Sequence, residues 1–90
     1  MANFLIIHKV ERYPETQDEW IDTWRKLRKR ACEGTVWVHS FFDPAANLLY
    51  CHWEADNEGA ILECLTADVK EMAPIQYVSE IVLFDAAWLN

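Results

Sequence analysis

The stretch Thr35-Val36-Trp37-Val38-His39-Ser40-Phe41-Phe42-Asp43-Pro44-Ala45-Ala46-Asn47-Leu48-Leu49-Tyr50-Cys51-His52-Trp53-Glu54-Ala55 decides the fold. Two β-branched and aromatic runs, Thr35 to Phe42 and Leu48 to Ala55, flank Asp43-Pro44-Ala45-Ala46-Asn47. Asp opens a turn, Pro presets its φ and Asn tolerates a left-handed close. The whole therefore reads as a β-hairpin.

Outward from the hairpin, the pattern switches to helix on both sides. Upstream, Thr16-Gln17-Asp18-Glu19 has the form of a capping box. A helix follows to about Cys32, with an apolar stripe at Trp20, Trp24, Leu27 and Ala31. Acids open this helix and bases (Arg25 to Arg30) close it, in the order its dipole prefers. Glu33-Gly34 ends it. Before it, Asn3 to Val10 reads as a strand, broken by Tyr13-Pro14-Glu15. Downstream, Asp56 is placed to cap a second helix from about Asn57 to Ala67, with Ile61, Cys64 and Leu65 inward. Residues 68–75 read as loop, Gln76 to Phe84 as a fourth strand, and Asp85 to Asn90 as a tail. The order βαββαβ predicts an α+β, ferredoxin-like sandwich: a four-stranded antiparallel sheet in order 4-1-3-2 with two helices on one face.

Length and composition bound the rest. Ninety residues make a single domain, residues 1–90. Hydrophobic residues are 52% of the chain and aromatic ones 13%, with five Trp, which is rich for so small a core and points to apolar surface meant for a partner. A net charge of −7 argues against nucleic acid, whose affinity comes from cations on phosphates. No run approaches a membrane span, and the N-terminus lacks the form of a signal peptide. A cytoplasmic protein is expected. Three cysteines with no close pair favour reduced thiols.

Strand parity indicates what the sheet face without helices carries, because successive side chains alternate. In the third strand Leu49, Cys51, Trp53 and Ala55 make the better core, so Leu48, Tyr50, His52 and Glu54 face away. A loop of four or six residues brings His39 to that same face, opposite His52 or Tyr50, with Trp37 and Phe41. In the first strand, Phe4, Ile6 and His8 are assigned to it as well. All three histidines, His8, His39 and His52, then converge on three neighbouring strands. Neutral imidazole suits Zn, Ni and Cu, with Glu54, Tyr50 or water completing the shell. Trp37, Phe41 and Tyr50 would form an aromatic pocket around it. The competing reading of the same residues is three structural histidines, since no H-x-H or HExxH spacing is present. Phe4, Ile6, Trp37, Phe41, Leu48 and Tyr50 on one face predict a homodimer through that face.

Other features carry less. Arg25-Lys26-Leu27-Arg28-Lys29-Arg30 reads as the solvated face of a helix. Cys51 and Cys64 read as small core residues, and Cys32, at a helix C-terminus, is not activated as a nucleophile. No G-x-S-x-G turn or phosphate-cradling glycine loop exists.

Glu33-Gly34, Val36-Trp37-Val38-His39-Ser40, Asp43-Pro44, Leu49-Tyr50-Cys51 and Asp56-Asn57-Glu58 together resemble a family of small bacterial ferredoxin-like domains of formerly unknown function that includes a nickel-binding protein. The resemblance covers the middle third of the chain. It implies a βαββαβ fold, a homodimer through the open sheet and divalent nickel on histidine-bearing strands. His39 and Tyr50-Cys51 fall inside the matched segment, whereas His8 and His52 rest on parity alone. The fourth strand and the Trp88-bearing tail depart from the family's pattern. A non-enzymatic nickel-type binder is thus the leading expectation. The alternative is a dimeric α+β-barrel enzyme, a cofactor-independent monooxygenase or isomerase, with His39 or His52 as general base beside an aromatic substrate.

Overall fold

The computed structural model describes residues 1–11, 16–29, 34–65 and 67–89. The elements run β1 (Ala2–Lys9), α1 (Gln17–Lys29), β2 (Thr35–Asp43), β3 (Leu48–Ala55), α2 (Glu58–Cys64), α3 (Ala67–Met72) and β4 (Ile75–Ile81), followed by a 3-10 turn at Ala86–Leu89. The strands form one sheet in the order β2-β3-β1-β4, with every neighbouring pair antiparallel. This is the expected order read from the other edge. No helix among the described residues is long and apolar enough to cross a membrane.

Local chemistry explains the elements. Thr16 Oγ1 accepts from the Glu19 amide at 3.2 Å, the capping contact that starts α1. In the hairpin, Asp43 Oδ1 accepts from the amides of Ala45 and Ala46 at 3.0 and 3.2 Å. Asn47 then closes the turn at φ 57°. The turn is tied to the rest of the sheet because Asn47 O accepts from Val10 N at 2.8 Å. The cap of α2 is Asn57, whose side chain accepts from Ala60 N at 2.9 Å, one residue later than the expected Asp56.

Residues 68–75, expected as loop, include most of α3, with Val69, Met72 and Ala73 buried. With one turn and a half and two core positions, Val69 and Met72, its periodicity is too short to register. Strand β4 starts one residue earlier and ends three residues earlier than expected. The breaker at Tyr13-Pro14-Glu15, the helix end at Cys32 and Glu33, and the stripe position Ala31 lie outside the described residues.

The helices cover one face. Trp20 and Trp24 of α1 and Ile61 and Leu65 of the α2 region pack against a core of Phe4, Ile6, Leu49, Cys51, Trp53 and Ala55. Aromatic contacts seat α1 on the edge strand: Trp24 stacks on Trp37, and Trp20 meets Phe42 at a centroid distance of 5.6 Å. Cys64 is buried here, beside the Thr35 hydroxyl at 3.5 Å. It is disulfide-bonded, and its partner lies outside the described residues. The expectation of three reduced thiols is corrected accordingly; Cys51 is the free, buried thiol.

Candidate functional site

The uncovered face of the sheet is organised around β3. As expected, Leu49, Cys51, Trp53 and Ala55 are buried under the helices, and Leu48, Tyr50, His52 and Glu54 occupy the other face. Four residues, Pro44 to Asn47, connect Asp43 to its partner Leu48. That spacing sets Phe41 opposite Tyr50 and His39 opposite His52. The two imidazoles have centroids 5.1 Å apart, with planes at 65°. Phe41 lies edge-on to His39 at 4.8 Å.

His52 is only 5% exposed. On its other flank Asn3 Oδ1 accepts from Nε2 at 2.8 Å. This bond fixes the tautomer of the neutral ring, leaving the lone pair on Nδ1. Desolvation, and next the neighbouring His39, hold the His52 pKa below its usual value, while Glu54 acts in the opposite direction. Asn3 had no signal in the sequence: an Asn near a strand start is ordinary, and its role emerges only from the β1–β3 register.

Three expected members of the face are elsewhere. His8 pairs with Leu49, on the helix side, and is 1% exposed. Its Nδ1 donates to Ala73 O at 2.8 Å, and burial pushes its pKa down against that bond. Phe4 and Ile6 share its side and are core residues, at 6% and 0% exposure. The physical reason is that β1 is a central strand, apolar at both parities, so alternation does not orient it. Its open-face residues are Asn3, Leu5 and Ile7, opposite Glu54, His52 and Tyr50.

Trp37 is displaced by a different cause. The β2–β3 register shifts between Trp37 and His39, so Val38 is an extra residue and Trp37 pairs with Trp53. The bulge turns Trp37 to the helix side. There its Nε1 donates to Ser40 Oγ at 2.9 Å, and that hydroxyl donates to Cys51 Sγ at 3.1 Å. Burial pushes the Cys51 thiol up to about 11, against the Ser40 bond.

Of the expected residues, the structure thus brings together His39, His52, Phe41 and Tyr50, with Glu54 two positions from His52 on the same strand. Among the described residues no group of three or more His, Cys, Asp or Glu is placed to hold a metal. One concavity lies at the edge strand, lined by Arg28, Thr35, Val36, Trp37 and Val38.

No protein-family model and no curated protein matches this chain. Solved structures do. One is that of SCO4226 from Streptomyces coelicolor A3(2), with a TM-score of 0.69 and 18% identity, covering 93% of this chain and 100% of the other. Another is protein YJCS, from structural genomics, with a TM-score of 0.60 and 17% identity, covering 92% of this chain and 98% of the other. Both likenesses are of fold.

Proposed function

We propose that this chain is a ferredoxin-like, homodimeric metal-binding protein, not an enzyme, whose open sheet face takes a divalent ion of the nickel type between His39 and His52. The observation that supports the reading is the 5.1 Å separation of the two rings. A metal–nitrogen bond of about 2.0–2.1 Å puts each ring centre roughly 3.2 Å from the ion. Two imidazoles sharing one ion then sit about 4.5–5.2 Å apart for bond angles between square and tetrahedral. The separation of the pair falls within that range. Two ligands from one chain hold an ion weakly. A second copy related by a two-fold axis supplies a matching pair, and nitrogen-rich sites suit Ni, Cu and Zn. Glu54 is the nearest acid to the pair in sequence. His8 has no part in this set.

The test is nickel and zinc titration of untagged protein by calorimetry, with His39→Ala and His52→Ala. Each substitution is expected to weaken binding at least tenfold, and His8→Asn to leave it unchanged. Unaltered affinity in both alanine variants overturns the reading.

A further inference from the structure

The segment after β4 is at odds with a monomer in water. Val82, Phe84, Trp88 and Leu89 are 79%, 86%, 65% and 86% exposed. The segment is nevertheless ordered by its own bonds. Asp85 Oδ1 accepts from Ala87 N at 2.9 Å, and Asp85 O accepts from Trp88 N at 3.0 Å, which closes the turn carrying Trp88. A preformed apolar turn loses little freedom when it docks.

The uncovered sheet face is the second unpartnered surface. Val36, Phe41 and Tyr77 are 43%, 63% and 53% exposed. Strand β4 ends where Ile81 pairs with Asn3, so the segment leaves the sheet at the end that carries Asn3, Glu54 and Val36.

We infer that the segment 82–89 is an exchanged arm, which crosses to a second copy of this chain and packs Phe84 and Trp88 against the rim of that copy's open face. This deepens the dimer reading above and rests on it. Area supports the second copy as occupant. Four strands about 4.8 Å apart and roughly 26 Å long offer a face of about 500 Å². A standard interface buries about 800 Å² on each partner. Aromatic side chains carry ~150–250 Å² each. At their present exposures Phe84 and Trp88 together add roughly 300 Å² of apolar surface to what the sheet face offers. A face-to-face dimer without the arm leaves both aromatics in water.

The experiment is sedimentation of the full chain and two variants, Phe41→Asn and the double variant Phe84→Asn/Trp88→Asn, alone and mixed. All three substituted positions are exposed, so folding is expected to persist, and circular dichroism with thermal melting checks it. Arm exchange predicts that each variant dimerises at least tenfold more weakly than the parent. It also predicts that the mixture associates more tightly than either variant alone, because one intact arm then meets one intact face. Loss of dimer in Phe41→Asn with no change in the arm variant overturns the arm and leaves the dimer standing. A tighter dimer in the arm variant means that the segment folds back on its own face, which also overturns the exchange. A parent monomeric at tens of micromolar overturns the dimer itself.

Discussion

Trp37 stacks on Trp24 with centroids 5.1 Å apart and planes only 13° from parallel. One residue of β2, Val38, makes this contact possible, since without the bulge Trp37 would share a face with His39. Deleting Val38 removes only the unpaired residue, so Trp37 should keep its place opposite Trp53. Trp37→Ala, which removes the stack itself, should cost up to about 3–5 kcal/mol. Urea denaturation measures it. A loss below about 1 kcal/mol in Trp37→Ala would mean that the stack does not hold α1 on the sheet.

Asn3 orients His52 from the opposite side to His39. Partners that fix a ligand ring matter to an ion as the ligands themselves do. Asn3→Ala should lower nickel affinity by about 10-fold to 100-fold while leaving dimerisation by sedimentation unchanged. Equal affinity in the variant would show that the bond has no orienting role.

His8 makes folding stability sensitive to acid. Its pKa in the folded state is lowered, chiefly by burial. The unfolded chain, with an ordinary histidine near 6.5, therefore binds the proton more readily. Stability is at its full value above about pH 6.5 and falls as pH drops towards the folded pKa, by about 1 kcal/mol per unit. His8→Asn, which keeps a donor for Ala73 O, should flatten that slope. His52 is shifted in the same direction, so a residual slope is expected. An unchanged slope in the variant would remove His8 from the account.

With its pKa pushed up to about 11, Cys51 is roughly 0.1% thiolate at pH 8. Labelling by a maleimide, located by peptide mapping, should be more than 100-fold slower in native protein than in urea. Ser40→Ala removes a donor to the sulfur and the acceptor of Trp37 Nε1, and should cost about 1–2 kcal/mol. Fast native labelling would place Cys51 outside the core.

The legible parts of the chain were those where one physical signal acts alone. The Thr16 cap, the Asp43 to Asn47 turn and the alternation of β3 each have a single local cause; they indicated the sheet order and put His39 on the face of His52, while the choice of His52 over Tyr50 as its partner came from the register. The orientation of β1 was illegible because Phe4, Ile6 and Val10 compete with Leu5 and Ile7 on equal terms. Only the bond from His8 to Ala73, 65 positions away, shows how a histidine is tolerated inside. The bulge was hidden for another reason. Val38 is as good a strand residue as its neighbours, and the register shift lies in the pairing, beyond the reach of composition.

The place of β1 between β3 and β4 sets the order of assembly. The hairpin of β2 and β3 closes over four residues and can form early. β1, made first on the ribosome, has one edge to offer β3 and must hold the other open until β4 emerges. Through that interval the apolar edge of β1 is available to other chains. Newly made protein should thus be most prone to aggregate just before its fourth strand is released, and a holdase supplied at that stage should raise the yield of native protein.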